Sequence, residues 1–330
     1  MALVSLFKIK DMIPFMSWHK IALVASAVAI AASLGLAATI GLNLGVDFKG
    51  GINFVVKTTP QTEVSDLRSK LNALDLGDVG LQSFGSTGDS YLIRLAHQAD
   101  SADQSEGQAD QLAAQSVKTA LSDNIVEILS SEIVGPTVSG ELFKAGLYAA
   151  LFSLLGIAAY IAMRFEWRFA MAALVALLHD VITTIGFLSL FQIEFNLATV
   201  AAILTIAGYS INDTVVVFDR VREEMRRRSN TDFLEVLNIA LNITLSRTLV
   251  TSLTTLLALL ALALFGGPVI FGFSLALIWG VMIGTYSSVL VATPLLIFFK
   301  VRADSLEKKD NPSDDGEAEL KARMRAVSQD

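Results

Sequence analysis

An aspartate inside an oil-soluble helix has to be neutralised, paired or used. Residues 197–218 read LATVAAILTIAGYSINDTVVVF, and Asn212 and Asp213 sit deep inside that apolar run. A carboxylate at such depth is costly, and intramembrane ionisable groups mark ion paths and proton relays. The run ends at Asp219-Arg220-Val221-Arg222 and the basic cluster Arg226-Arg227-Arg228. Asp213 therefore lies about 9 Å inside its polar edge, at 1.5 Å per helical residue. Ser210 and Tyr209, three and four residues earlier, share its helix face.

A cation occurs at matching depth in the next apolar run. Arg247 lies about eight residues into 240–265, followed by Thr251, Thr254 and Thr255 on one helix face. If the two runs are antiparallel neighbours, Asp213 and Arg247 can approach directly or through a water and a threonine hydroxyl. Desolvation favours a neutral carboxyl group, and an approaching cation favours its ionised form. An aspartate whose distance from an arginine alternates is thus a proton-binding switch, and hydroxyls can hold ordered water as a relay. The plainer reading is a static ion pair, which is weak evidence for stability. A second polar pair, His179-Asp180, falls at the midpoint of 170–191, with Thr183 and Thr184 following. Adjacent residues on a helix point about 100° apart, so the two are not expected to face one partner. For this pair a structural role and a place in the ion path stand equally open.

Other chemistry is disfavoured. The chain has no cysteine, and His19, His97 and His179 lie far apart, so no metal site is expected. No nucleophile–base pair, zinc motif or nucleotide loop is present, and neither an enzyme nor a cofactor is expected. A net charge of −7 gives no nucleic-acid footprint.

The elements that position these residues follow from hydropathy. The 330-residue chain is 53% apolar with a mean hydropathy of +0.57, too hydrophobic for an ordinary soluble domain. A spanning helix needs about 20 apolar residues. Six runs qualify: 21–42, 145–163, 170–191, 197–218, 240–265 and 270–299. The first is longer than the apolar core of a cleavable leader and reads as an uncleaved anchor. Lys8, Lys10 and Lys20, then Arg164 and Arg168, then Arg220, Arg222 and Arg226–Arg228, then Lys300 and Arg302 flank alternate ends of these spans. By the positive-inside rule all four groups are cytoplasmic, and so are both termini. The expected order is a cytoplasmic segment 1–20, six spans, a cytoplasmic amphipathic link at 219–239 and a disordered charged tail at 300–330. Segment 43–144 must then be external, with fourteen acidic and seven basic residues.

That external segment has its own pattern. A strand is predicted at 52–58, a helix at 62–74, strands near 79–84 and 90–96 with Gly85, Gly88 and Asp89 as the turn, a helix at 109–122 and a strand at 124–134. The order β-α-β-β-α-β is that of a ferredoxin-like α+β domain. Ahead of it, Gly45, Asp47, Gly50 and Gly51 read as a tight structural turn where the chain leaves the membrane. In the last span Gly280 and Gly284 form a GxxxG continued by Ser288, a face for close helix packing within or between chains.

Several of these motifs together resemble one family. Gly45-Val46-Asp47-Phe48-Lys49-Gly50-Gly51, Val134-Gly135-Pro136-Thr137-Val138-Ser139, Phe165-Glu166-Trp167-Arg168, His179-Asp180-Val181, the run from Ser210 through Asn212-Asp213-Thr214 to Asp219-Arg220, and Ser246-Arg247-Thr248 resemble the bacterial SecF family of protein export. The resemblance spans about residues 20–300. It implies a six-span half of a pseudo-twofold membrane domain of the resistance-nodulation-division (RND) superfamily, in the bacterial inner membrane, paired with SecD. It also implies association with the Sec channel and a YajC-like small subunit. The partner on the periplasmic side would be an unfolded secretory chain, drawn out by the proton-motive force or by sodium. Asp213 would be the family's intramembrane carboxylate and Arg247 its charged neighbour. The competing readings are an RND small-molecule exporter subunit and a scaffold that transports nothing.

Overall fold

Hydropathy says where a helix crosses oil, whereas caps and prolines say where it begins. The structure, a computed structural model, describes residues 12–59, 62–77, 79–84, 89–99 and 107–301. Six long apolar helical segments are present among them. A 3₁₀ turn at Phe15–Trp18 leads into α1 (His19–Thr39), and a one-turn helix α2 (Val46–Lys49) enters the sheet domain. After that domain come α5 (Pro136–Arg164), α6 (Trp167–Leu190), α7 (Leu197–Arg227), α8 (Phe233–Phe265) and α9 (Pro268–Ser287). A π-turn at Ser288–Ala292 and a short α10 (Thr293–Phe298) finish the sixth segment.

Several bounds differ from the hydropathy limits, for local reasons. α5 begins nine residues before the apolar run at 145, because Pro136 occupies its first helical position, where a missing N–H costs nothing. α8 starts at Phe233 because the Asp232 side chain accepts from the Leu234 N–H at 3.2 Å. The stretch 219–239 comprises the polar end of α7, a turn at 228–232 and the start of α8. The segments 1–11 and 302–330, with the turn glycines Gly85 and Gly88, lie outside the described residues.

The sheet domain follows the expected order. β1 (Gly51–Thr58), α3 (Val64–Asn72), β2 (Val79–Phe84), β3 (Ser90–Leu95), α4 (Gln108–Ala120) and β4 (Ile125–Val134) form one antiparallel sheet in the order β2-β3-β1-β4. That is the ferredoxin-like arrangement. Alternation puts Ile52, Phe54 and Val56 of β1 and Tyr91, Ile93 and Leu95 of β3 on one face, against Leu67, Leu71, Val117 and Leu121 of the helical layer. The other face carries Asn53, Val55, Leu92 and Arg94 toward the helix ends.

Among the membrane helices α7 and α9 pack most closely; α6 and α8 pack against both, and α1 leans on α6. Close approach of α7 and α9 depends on the small-residue face. A Cβ at Gly280 would overlap Ile206, and one at Gly284 would lie 3.2 Å from Ser210 Cβ. The GxxxG therefore works inside this chain. The π-turn has a cause as well: Pro294 has no N–H, and its ring crowds the carbonyl four residues back, so the ladder slips by one residue.

Candidate functional site

Two carboxylates, one buried and one partly buried, lie within the helix bundle. Asp180 comes from α6 and is fully buried. Its Oδ1 lies 2.8 Å from His179 Nδ1, while its Oδ2 accepts from Ser210 of α7 at 2.5 Å and from Ser287 of α9 at 2.6 Å. The carboxylate is thus enclosed by three helices. Thr183 and Thr184 do not reach it; they donate to carbonyls of their own helix at His179 and Asp180. Among the described residues His179 and Asp180 bond each other and share no third hydrogen-bond partner. His179 Nε2 is buried with no hydrogen-bond partner.

Asp213 comes from α7 and is only partly buried. Thr248 of α8 donates to its Oδ1 at 2.7 Å, and Ser288, the first residue of the π-turn, donates to its Oδ2 at 2.5 Å. Arg247 acts on Asp213 by Coulomb attraction without a hydrogen bond and lies on the exposed side of α8. Thr251 and Thr254 are exposed beside it, and Thr251, Thr254 and Thr255 each donate to carbonyls one turn back in α8. The threonine stripe expected beside Asp213 therefore follows Arg247 outward, while Thr248, one residue on, turns inward. Asn212 is exposed as well. Ser210, placed by sequence on the Asp213 face, serves Asp180 instead. A second hydroxyl chain crosses the same helices: Tyr209 Oη donates to Ser252 at 3.3 Å, and Ser252 lies 2.6 Å from Thr285 Oγ1.

Thr248 and Ser287 are the residues that sequence reasoning missed. A signal existed for Thr248: Thr244, Thr248 and Ser252 recur every fourth residue, and all three are buried. Ser287 falls outside the 280/284/288 register and faces the α6 carboxylate instead.

The glycine segment ties this bundle to the sheet. Gly51 has a φ of 123° and approaches the Leu95 carbonyl so closely that a Cβ would collide with it, while Gly50 has a φ of 74°. A Cβ at Gly45 would sit 2.5 Å from Glu194 Oε1. Asp47 Oδ2 accepts from the Leu197 N–H at 2.8 Å, adding to the capping box of Asn196 and Thr199 at the start of α7. The turn that enters the sheet thus also caps the helix that carries Asp213. Beside it Arg94 of β3 pairs with Glu194 of the α6–α7 loop. Burial pushes the Glu194 carboxyl up, and Arg94 draws it part of the way back.

At the opposite end of α7, Arg164 bonds Asp219 at 2.5 Å, and buried Glu224 receives Arg220 at 2.7 Å and Arg228 at 2.9 Å. Among the described residues no group of three or more His, Asp or Glu side chains is placed to hold a metal. The chemistry this arrangement supports is proton binding by carboxylates in a hydroxyl-lined bundle.

Comparison with known proteins gives a consistent result. Residues 114–302 match the family described as protein export membrane protein SecD/SecF, C-terminal, and residues 35–62 match the SecD/SecF GG motif. Among curated proteins, the protein translocase subunit SecF of Rhodobacter capsulatus is 43% identical over 91% of this chain and 92% of its own length. That of Rickettsia prowazekii is 40% identical over 87% and 91%. Among solved structures, SecDF of Thermus thermophilus, described as a translocon-associated membrane protein, aligns with a TM-score of 0.78 at 34% identity over 89% of this chain. SecDF in a super-membrane-facing form aligns with a TM-score of 0.64. This chain spans 39% and 40% of those two SecDF chains.

Proposed function

We propose a mechanism for a chain whose family is plain: it belongs to the SecD/SecF family of protein-export membrane proteins. It is a multi-pass membrane protein of the Sec pathway. In our reading it is an auxiliary subunit without enzymatic activity of its own, set in the bacterial inner membrane. It works beside SecD, the Sec channel and a YajC-like small subunit. Both termini are cytoplasmic, which is supported by the gathering of Arg164, Arg168, Arg220 and Lys300 at the helix ends opposite the sheet domain. The sheet domain then faces the periplasm, where an unfolded secretory chain emerges.

The coupling ion is H⁺, and Asp213 carries it. One observation supports this above the rest. The Asp213 carboxylate is held by two hydroxyls, Thr248 and Ser288, while its cation stands off to the side. A hydroxyl can donate to a carboxylate or accept from a carboxylic acid, so this cradle suits both protonation states. A tight arginine pair would favour only the charged one. The exposed flank of Arg247, Thr251 and Thr254 leaves the site open on one side, and in our reading SecD closes it. No observation favours the small-molecule exporter, since the described residues hold a single sheet domain, between the first two spans.

The test is export into vesicles that hold the complex under an imposed proton gradient. Asp213→Asn is expected to lose the gradient-dependent part of translocation, and a variant that keeps it in full overturns the ion role. An imposed sodium gradient in place of the proton gradient separates the two ions.

A further inference from the structure

Asp180 and Asp213 come from different helices, yet two consecutive serines on α9 and its π-turn hydrogen-bond one each. Ser287 donates to Asp180 Oδ2 at 2.6 Å and Ser288 to Asp213 Oδ2 at 2.5 Å. α7 joins the same two sites, because Ser210, one turn before Asp213, donates to Asp180 at 2.5 Å. No other pair of adjacent residues among the described ones touches both carboxylates.

Each serine also has a second acceptor in place. Ser287 Oγ lies 3.2 Å from the Gly284 carbonyl, and Ser288 Oγ lies 3.1 Å from the Thr285 carbonyl. With an ionised carboxylate the serine donates to it. With a protonated one the carboxyl O–H donates to the serine oxygen, and the serine hydrogen turns to the backbone carbonyl. The change needs a hydroxyl rotation and no movement of heavy atoms. His179 adds a further place for a proton: Nδ1 faces Asp180, and Nε2 is buried without a partner at 1% exposure. With hydrogen on Nδ1, the Nε2 lone pair is free.

We propose that Asp180, together with His179, is a second proton-binding site, and that the Ser287–Ser288 pair couples its occupancy to that of Asp213. The proposal rests on the reading of Asp213 as proton carrier and extends it to a linked pair. Each carboxylate gains one proton and later releases it, passing between charge −1 and 0, and nothing is oxidised or reduced. The titratable and charged groups around Asp180 are His179 on its own helix and, from α9, Tyr286, whose ring centroid is 6.2 Å from that of His179. α7 brings Asp213, and α8 brings Arg247, whose attraction falls on Asp213. α1 presents Ser26, which is hydrogen-bonded to Tyr286 at 2.9 Å. Coupling is expected because a serine hydroxyl that rotates away from one acid reorients its dipole beside the serine that serves the other, and each acid responds to the other's change of charge.

The test is infrared titration of protonated carboxyl groups in the full chain, reconstituted with its SecD partner in lipid vesicles. Asp180→Asn, Asp213→Asn and Ser287→Ala are each compared with the unaltered chain. Two bands are expected, one lost in each Asn variant, and the midpoint of the Asp213 band is expected to move by about one pH unit in Asp180→Asn, as for strongly interacting sites. Ser287→Ala keeps both carboxylates and tests the link even if Asp180→Asn does not fold. It should move the Asp213 midpoint although it does not touch Asp213. An Asp213 midpoint unchanged in Ser287→Ala overturns the coupling, a single band lost only in Asp213→Asn overturns the second site, and either result leaves the Asp213 reading standing. Absence of any band that Asp213→Asn removes overturns that reading instead.

Discussion

The two carboxylates in the bundle differ in who encloses them. Asp180 has a histidine and two serines around it, every one supplied by α6, α7 and α9 of the same chain, and no exposure. Asp213 has two hydroxyls, a distant cation and a flank of exposed residues that includes Asn212, Arg247 and Thr251. A site completed within its own chain is bound to the stability of the fold. A site left open on one side is free to respond to what covers it. The difference gives a rule for reading such bundles: the more enclosed acid should govern stability, and the more open one should govern response to a partner and to the gradient.

The sharpest way to break that rule is to remove each acid without replacing its hydrogen bonds. Asp180→Leu strands Ser210 and His179 in the interior and leaves Ser287 only the Gly284 carbonyl. Loss of hydrogen bonds to a charged group, with buried polar groups left behind, costs about 3 kcal/mol. Asp213→Leu strands Thr248, leaves Ser288 the Thr285 carbonyl beside an open flank, and should cost about 1 kcal/mol. Unfolding in detergent micelles, followed by circular dichroism, measures both. Equal losses would show that enclosure is not what distinguishes the sites.

A second test acts on the wall both sites share. Gly280→Leu drives a side chain into Ile206 and prises α9 from α7, with a cost of about 2 kcal/mol from overpacking. Ser287 and Ser288 ride on the displaced element, so gradient-driven export should fall along with stability. Gly35 of α1 has open space where a Cβ would go, and Gly35→Leu serves as the control. Matching losses in the two variants would sink the idea that this crossing sets the serines.

Thr248→Val sharpens the comparison at smaller scale, and it touches the limit of what the sequence revealed. It removes one donor from Asp213 and should cost about 1 kcal/mol. Thr251→Val, exposed and bonded only to its own helix, should change stability by less than about 0.5 kcal/mol. The same unfolding assay decides, and a larger loss for Thr251→Val would overturn the assignment. Position along each helix was legible from residue counts, and Asp213 and Arg247 do lie near one level of the bundle, because Thr248, next to Arg247, bonds Asp213. The six spans and the β-α-β-β-α-β order were legible too, because hydropathy and alternation are local properties. Rotation about each helix axis was not. Arg247 drew attention to its own face with Thr251, Thr254 and Thr255, although the face against α7 is set by how small residues let α7, α8 and α9 nest. Ser287 was invisible for a related reason. Its carboxylate comes from a helix about a hundred residues earlier, and local spacing gives no sign of that contact.

Glu194 extends the comparison to a third carboxylate, outside the oil, and should give the smallest effect. It is half-buried at the junction of sheet and helices and paired with Arg94, beside a cavity of about 430 Å³ lined by Gln82, Leu92, Arg94 and Phe271. Burial raises its affinity for a proton above that of the unfolded chain, and Arg94 offsets only part of the rise. The folded state therefore binds the proton more tightly than the unfolded state does. The resulting stabilisation is complete below the ordinary glutamate value of about 4.3 and is lost as pH climbs through the raised folded value. Glu194→Gln cannot titrate. The stability of the unaltered chain relative to this variant should thus be greatest in mild acid and decline toward neutral pH. Thermal unfolding of both in the same detergent across that range reads the difference. A gap that widens with rising pH would mean that the Arg94 pair outweighs burial, and that this third acid behaves as an ion pair rather than as a desolvated one.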